Sequence, residues 1–168
     1  MAPPLQTTKA NIGANLYNIP LTSLPRLFLD AINLTSRLGH QYLWIDSLCI
    51  IQDSAEDWNR ESSLMASIYA NSTLTVAAIL ASSSSSSLYS MQTSTSISFG
   101  PFTLYACPAI RHIHRNPDPE SFPLLTRAWV YQERLLSSCV VHFGPDELSW
   151  ECNHSTRCQC GYFDREDP

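Results

Sequence analysis

The sequence predicts an α/β domain in three layers, with a mostly parallel sheet flanked by helices, from three observations. Apolar residues recur at helical spacing in some segments, whereas other short segments are continuously apolar. The two kinds of segment alternate, which is typical of parallel sheets with crossover helices. Hydrophobic residues make up 44% of the 168 residues, which is enough for the core of one domain.

The first helix is expected from Ser23 to Gly39. Ser23 suits the N-terminal cap, Pro25 suits the first turn, and a glycine commonly follows the last turn. Residues 1–18 are polar and turn-rich, so they are expected to form an extended lead-in to a domain over 19–154. The apolar residues of the helix form one stripe: Leu24, Leu27, Phe28, Ala31, Leu34 and Leu38.

A buried strand is expected at Tyr42–Asp46, because the segment is apolar almost throughout, as strands covered on both faces are. A second helix is expected from about Ala55 to Ala70, and a second strand at Thr73–Ile79. Strand, helix and strand in succession predict a right-handed crossover and a parallel pair of strands.

The second half of the chain begins with six consecutive serines, Ser82–Ser87, in a Ser/Thr-rich stretch. Such low-complexity sequence predicts a flexible loop over 81–98. The remaining predictions, in chain order, are a short strand at Phe102–Ala106, an irregular segment at Arg111–Pro123, a helix at Thr126–Leu136, strands at Cys139–Phe143 and Glu147–Cys152, and a disordered or frayed tail at 155–168.

Charge and targeting signals narrow the classes of function. The net charge of −5 and the pI near 5.4 argue against a nucleic-acid-binding or anionic-membrane surface. No apolar run approaches the roughly 18 residues of a membrane span, and the first residues lack the features of a secretory signal. The expected location is the cytoplasm, where the six cysteines are expected to be thiols rather than a disulfide framework.

Two long blocks of sequence resemble one known family. The first is "YLWIDSLCIIQD" at 42–53, followed by Trp58, Met65 and Ile68-Tyr69; the second is "TRAWVYQERLLSSCVVHFG" at 126–144 with "LSWEC" at 148–152. Both resemble the heterokaryon incompatibility (HET) domain of filamentous fungi. The resemblance implies a role in non-self recognition and programmed cell death, through self-association or a receptor-type partner.

The resemblance also implies an α/β fold distantly similar to Toll/interleukin-receptor (TIR) and flavodoxin-like domains. Some TIR domains hydrolyse NAD⁺ with a glutamate, so NAD⁺ is the expected substrate and no cofactor is expected. Members of the family usually begin with a strand resembling "Y-x-A-L-S-Y-x-W-G", which this sequence does not contain. The chain is therefore expected to lack that first strand, and an inactive truncated remnant is one alternative.

Trp129 and Glu133 are the first candidates for chemistry. They lie four residues apart in the third predicted helix, so they share one face, and the catalytic glutamate of NAD-cleaving TIR domains resembles this pair. A carboxylate stabilises the cation-like transition state of glycosidic bond cleavage. The alternative is that Trp129 belongs to the core and Glu133 pairs with Arg127 or Arg134. Arg127 suits a phosphate group, or else a solvated helix face.

Asp46 and Cys49 follow the first predicted strand, and ligands bind beyond the carboxyl ends of parallel strands. Asp46 is a candidate for ribose hydroxyls and Cys49 for the pocket wall. The alternatives are that Asp46 caps a turn and that Cys49 is a small buried hydrophobe. Glu61 is a third candidate, because it lies on the apolar face of the second helix, where it meets an arginine, a cleft or solvent.

The tail carries three thiols and one imidazole within nine residues: Cys152, His154, Cys158 and Cys160. Zinc sites use such residues, but the spacing C-x5-C-x-C differs from paired C-x-x-C motifs. Four ligands so close in sequence would be strained around one ion. The sequence therefore predicts no metal site.

Two classes of function follow, and they differ in what the surface should show. An NAD-cleaving effector predicts a cleft in which Glu133, Asp46 and Glu61 converge. A non-enzymatic interaction module predicts an exposed apolar patch of several hundred Å².

Overall fold

The structure is a computed structural model and describes residues 5–89, 95–106, 122–161 and 165–166. The chain divides into two compact units: Met1–Ser72 with Ala81–Leu88, and Thr73–Leu80 with Tyr89–Pro168. Helices and a mixed sheet are both present, so the predicted α/β class is confirmed. Within the described residues, no helix combines the length and apolar character that a membrane span requires.

The first unit is mainly helical. Its helices are α1 (Ile12–Tyr17), α2 (Arg26–Arg37), α3 (Asp46–Cys49) and α4 (Ala55–Asn71), with a 3-10 turn at Leu21–Ser23 before α2. The two long helices, α2 and α4, confirm the predicted ones. Ser54 caps α4, because its hydroxyl accepts a hydrogen bond from the backbone N–H of Asp57 at 3.4 Å. The lead-in expected to be extended contains α1.

The strand predicted at Tyr42–Asp46 is wrong. Residues 41–45 belong to no strand, and Asp46 already begins α3. Strand-like pairing occurs later, where Thr7 forms a parallel bridge with Ile51 and its N–H donates to the carbonyl of Ser47 at 2.8 Å. The segment is not covered on both faces as the prediction required, because Tyr42 is 89% exposed and residues 43–45 are only half-buried. A strand also needs a neighbour that pairs with its backbone. The crossover predicted from this strand is therefore absent from the described structure.

The serine run packs against α2. The carbonyl of Ser84 accepts a hydrogen bond from the N–H of Leu27, in the first turn of α2, at 3.1 Å. The buried carboxylate of Asp30 accepts from the Ser87 hydroxyl at 2.7 Å and from the N–H of Leu88 at 3.1 Å. Short polar side chains suit this segment, because it supplies a backbone acceptor for an N–H in the first turn of α2 and a hydroxyl donor for the buried Asp30 carboxylate.

The second unit contains one helix and seven strands among the described residues. Helix α5 (Ala128–Leu136) follows a 3-10 turn at Pro123–Thr126 and confirms the third predicted helix. The strands are β1 (Thr75–Ala77), β2 (Thr95–Phe99), β3 (Phe102–Ala106), β4 (Cys139–Phe143), β5 (Leu148–Cys152), β6 (Ser155–Cys158) and β7 (Arg165–Glu166). The strands predicted near β1, β3, β4 and β5 are thereby confirmed, whereas β2 lies in the predicted flexible loop and β6 and β7 in the predicted tail.

The sheet is mixed, so the prediction of a mostly parallel sheet is wrong for the described strands. The order is β1-β4-β5-β6-β7, and β1 pairs with β4 in parallel, whereas the other three pairs are antiparallel. Residues 144–147 join β4 to β5, and residues 153–154 join β5 to β6. Connections this short allow only hairpins, because a parallel pair needs a crossover of a dozen residues or more. Strands β2 and β3 form a separate antiparallel hairpin.

The described core of the second unit centres on Ile79 and Phe122, which are each 1% exposed. Ala77 and the two leucines of the 3-10 turn pack against them. Most of the irregular segment predicted at 111–123 lies outside the described residues.

Replacing Asp30 by asparagine is expected to lower the free energy of unfolding by about 2 kcal/mol. Ser87 and Leu88 both donate to Oδ2, so an amide oxygen in that place would turn the NH₂ group towards Arg26, which pairs with Oδ1 at 3.0 Å. Burial alone would raise the pKa of Asp30, but hydrogen bonds from Ser87 and Leu88 and the charge of Arg26 hold it below its ordinary value of 3.8. The contribution is therefore present above that value and is lost as the pH falls below it. Urea unfolding at pH 7 and at pH 3 measures both effects.

The matched control for this experiment is Asp53→Asn, which alters an exposed carboxylate that accepts the N–H of Lys9 at 2.7 Å. It is expected to change the free energy of unfolding by less than about 0.5 kcal/mol. Equal losses for the two variants would show that Asp30 does not hold the serine run.

Candidate functional site

Asp46, Cys49 and Glu61 lie close together in the first unit. Asp46 and Cys49 are the two ends of α3, and Glu61 is in the second turn of α4. Partial burial raises the pKa of the Cys49 thiol, and the negative charges of Asp46 and Glu61 raise it further. The structure therefore brings together three residues that the sequence selected separately.

Cys49 is not set up as a nucleophile. Reactive cysteines have a lowered pKa, which positive charge or a helix N-terminus supplies. Here both neighbouring charges are negative, and the pKa is raised. Cys49 is therefore better placed to line a pocket beside Asp46 and Glu61 than to act as a nucleophile.

Asp46 has an exposed side chain whose Oδ1 accepts the N–H of Ser47 at 2.6 Å. This contact is the turn-capping alternative that the sequence left open. Since no strand precedes Asp46, the argument that placed it beyond a strand end does not hold. A role in ligand binding stays a prediction.

Glu61 has an arginine partner within its own helix. The Nε of Arg60 donates to Oε1 of Glu61 at 3.0 Å, and the same guanidinium forms an ion pair with Asp57. Asp57 is buried and also accepts the N–H of Ile51 at 2.8 Å. Asp57 thus fixes the loop after α3, and the exposed guanidinium of Arg60 joins it to Glu61, whose side chain is only 18% exposed.

Trp129 and Glu133 lie on α5 in the second unit. Trp129 is 69% exposed, so the alternative that it belongs to the core is wrong. Glu133 is half-buried one turn later, on the same face of the helix, and Arg127 is exposed immediately before the first turn. An exposed indole beside a partly buried carboxylate is a surface on which a planar ring can stack.

Each set of candidates is described within its own unit. Asp46, Cys49 and Glu61 belong to the first unit, whereas Arg127, Trp129 and Glu133 belong to the second. The prediction that both sets line one cleft stays a prediction.

A charged network in the second unit was not found from the sequence. Arg134 of α5 donates from Nε to Oε2 of Glu151 at 2.6 Å and from Nη2 to Oε1 at 3.1 Å. The Nε2 of His142, a side chain only 1% exposed, lies 3.2 Å from the same Oε2. Burial opposes ionisation of Glu151, but hydrogen bonds from His142 and Arg134 and their charges lower its pKa to about 2.

This network attaches α5 to the sheet and is anchored on two neighbouring strands. Val140 is opposite Glu151 in the pairing of β4 with β5, so His142 and Glu151 point to the same face. The partners are far apart in sequence, and no local motif joins them. The alternation within "VVHF" and "LSWEC" was the available signal, but its use requires the strand register.

Cys139 and Cys152 are directly opposite each other on β4 and β5. Burial raises the pKa of the Cys139 thiol. The pKa of Cys152 is instead lowered to about 7, chiefly by the hydroxyl of Ser155, whose oxygen lies 3.5 Å from the sulfur. Of these two thiols, Cys152 is the one that ionises near neutral pH.

One family model matches the chain, and its description is "Heterokaryon incompatibility protein (HET)". The match covers residues 4–133, which is most of the chain and includes every candidate residue of both units. The matched range ends within α5, so strands β4 to β7 lie beyond it. No curated protein and no solved structure matches the chain significantly.

Replacing Glu151 by glutamine is expected to lower the free energy of unfolding by about 2 kcal/mol at neutral pH, because the bidentate contact with Arg134 loses its charge. The pKa of Glu151 is about 2 in the folded protein against an ordinary value of 4.5. The unmodified chain therefore loses this contribution as the pH falls from about 4.5 to about 2. Urea unfolding across that pH range measures the difference.

Glu56→Gln is the control for this experiment, since it removes an exposed carboxylate from the first turn of α4. The free energy of unfolding of Glu56→Gln should follow that of the unmodified chain at every pH. The free energy of unfolding of Glu151→Gln should instead approach that of the unmodified chain as the pH falls. A difference between Glu151→Gln and the unmodified chain that stays constant with pH would contradict the low pKa of Glu151.

Proposed function

The chain belongs to the heterokaryon incompatibility family, and we propose that it acts as a cytoplasmic effector of fungal non-self recognition and cell death by cleaving NAD⁺. The family match supports the biological role. The proposal includes a three-layer, TIR-like arrangement of the fold. Glu133 is the proposed catalytic residue, and Trp129 is the proposed contact for a base.

The observation that carries the proposal is the exposure of Trp129 beside Glu133. A large aromatic side chain that is 69% exposed leaves much apolar area in water. Nicotinamide and adenine are flat and would cover that area by stacking. Because the two residues lie one helical turn apart, a base stacked on the indole brings its ribose towards the carboxylate.

In the proposed reaction, Glu133 assists hydrolysis of the bond between nicotinamide and ribose. The bond between ribose C1′ and the nicotinamide nitrogen breaks, and the electron pair leaves with nicotinamide, which becomes neutral. Water adds to C1′ and loses a proton, which gives ADP-ribose. A carboxylate stabilises the positive charge that develops on the ribose and orients the water.

The two arginines near Trp129 and Glu133 have different roles. Arg134 donates two hydrogen bonds to Glu151, so its guanidinium is held towards the sheet. Arg127 is exposed at the start of the helix and is the residue proposed to contact the pyrophosphate. For the first unit, Asp46 is proposed to bind ribose hydroxyls and is the second catalytic candidate, and Cys49 and Glu61 are proposed to line the pocket beside it.

A second candidate function is self-association through the β2–β3 hairpin. Its pairing places Ile97 opposite Leu104 and Phe99 opposite Phe102 on one face of the hairpin. These four side chains are 59–79% exposed. An apolar face of this kind favours an interaction module, because such surface is usually covered by a partner.

Glu133→Gln is expected to reduce NAD⁺ turnover at least about 100-fold, because glutamine neither carries charge nor takes a proton. Trp129→Ala is expected to raise KM more than it lowers kcat, since stacking contributes to binding. Nicotinamide release by the purified chain at high concentration, separated by chromatography, measures both. Gln132→Ala is the matched control, because this exposed neighbour in α5 should leave turnover unchanged.

If the well-folded chain releases no nicotinamide under these conditions, the result contradicts the enzymatic proposal and favours the interaction module. Turnover that persists in Glu133→Gln would place the site elsewhere.

Phe99→Lys is expected to disperse oligomers of the chain, because it puts a charge in the apolar face of the hairpin. Ser98→Lys is the matched control, since Ser98 lies on the opposite face of the same strand. Sedimentation velocity over a range of protein concentrations measures the association. A monomeric unmodified chain, or equal dispersal by both variants, would contradict a role for this face.

A further inference from the structure

We propose that Glu147, Cys158 and Cys160 form a binding site for a thiophilic divalent cation, with Zn²⁺ as the expected ion. The two sulfurs and one carboxylate oxygen all lie within 4.8 Å of one another. The sulfur atoms are 3.2 Å apart, which is well beyond a disulfide bond of about 2.0 Å. Around a tetrahedral ion with Zn–S bonds of about 2.3 Å, two sulfurs lie about 3.8 Å apart. A small rotation of the side chains therefore completes the geometry.

The turn between β4 and β5 holds Glu147 in place. The N–H of Gly144 donates to the carbonyl of Glu147 at 3.1 Å. A Cβ added at Gly144 would lie 2.9 Å from that carbonyl oxygen, so only glycine permits this close approach. These contacts fix the backbone from which the carboxylate projects, and Glu147 is 9% exposed.

The turn after β6 brings the two cysteines together. Cys158 ends β6, and its carbonyl accepts the N–H of Gly161 at 3.0 Å, where the φ of +72° suits glycine. The N–H of Cys160 donates to Oε2 of Glu147 at 3.3 Å. This hydrogen bond links the two turns and orients the carboxylate towards the sulfurs.

Gln159 attaches the same turn to the first residue of β5. Its N–H donates to the carbonyl of Leu148 at 2.9 Å, and its Oε1 accepts the N–H of Leu148 at 3.3 Å. Backbone contacts thus hold all three donors before any ion binds. A preformed arrangement of this kind lowers the cost of ordering ligands around a cation.

The charges favour a cation of soft character. Metal binding needs both sulfurs as thiolates, and three negative groups within 4.8 Å are then stabilised by a positive charge between them. A divalent ion compensates that charge and releases the thiol protons when it binds. Sulfur donors select zinc over magnesium or calcium, and three protein donors leave the fourth position of a tetrahedral ion to water.

This donor set differs from the group of Cys152, His154, Cys158 and Cys160 that was considered from the sequence. Cys152 lies at the far end of β5 from Leu148, opposite Cys139 and next to Ser155. The strain expected for four ligands in nine residues disappears, because the third donor comes from the turn before β5. The site lies beyond the residues that the family model matches, so it is independent of the proposed cleavage of NAD⁺.

The test is a titration of the reduced 168-residue chain with Co²⁺, whose thiolate charge-transfer absorption reports sulfur ligands, followed by displacement with Zn²⁺. One equivalent of Co²⁺ is expected to bind. Cys158→Ser and Cys160→Ser should each weaken binding by at least about tenfold and diminish the charge-transfer band. Glu147→Gln should weaken binding while the band persists, and the controls Cys49→Ser and Cys152→Ser should change neither.

Three results would overturn the proposal: no charge-transfer band, a band lost in Cys152→Ser but kept in Cys160→Ser, or a Cys158–Cys160 disulfide whose reduction restores no binding. If the ligand variants do not fold, alkylation of the unmodified chain decides the question. Zn²⁺ should then protect Cys158 and Cys160 but not Cys49, as read by mass spectrometry. Equal modification with and without Zn²⁺ would contradict the site.

Discussion

The contact of Arg134 with Glu151 is the interaction on which the second unit depends. It joins α5 to the middle of the sheet through two hydrogen bonds between opposite charges. Burying a carboxylate is costly, and His142 and Arg134 together offset that cost, as the low pKa of Glu151 shows. The same contact determines which face of α5 turns away from the sheet, and that face carries Trp129.

The first unit uses the same physics with different partners. Asp30 and Asp57 are buried carboxylates that accept backbone N–H groups from segments outside regular structure. Each lies on a long helix and holds a loop against it, with Arg26 or Arg60 supplying the balancing charge. The serine run and the loop after α3 are thereby fixed through polar contacts.

What the sequence predicted well was local, and what it missed was the choice of partners. Helices α2, α4 and α5 follow from the residue pattern within one segment, and so does the spacing of Trp129 and Glu133. The cap predicted at Ser23 is wrong, because α2 begins after Pro25 without a side-chain cap. The apolar run at 42–46 contained no information about a neighbouring strand, so the predicted strand is absent from the structure. Short connections between Cys139 and Cys158 made the sheet antiparallel there, and the grouping of distant residues around Glu151 and Glu147 depends on that register.

The central claim is that the exposed face of α5 binds the nicotinamide of NAD⁺ next to Glu133. Hydrogen–deuterium exchange of the Glu133→Gln variant, which should keep NAD⁺ intact, tests it most directly. The account predicts that saturating NAD⁺ slows exchange in peptides covering residues 127–136, and that ADP-ribose, which lacks the nicotinamide, has a smaller effect. Unchanged exchange in α5, or protection confined to other segments, would contradict it.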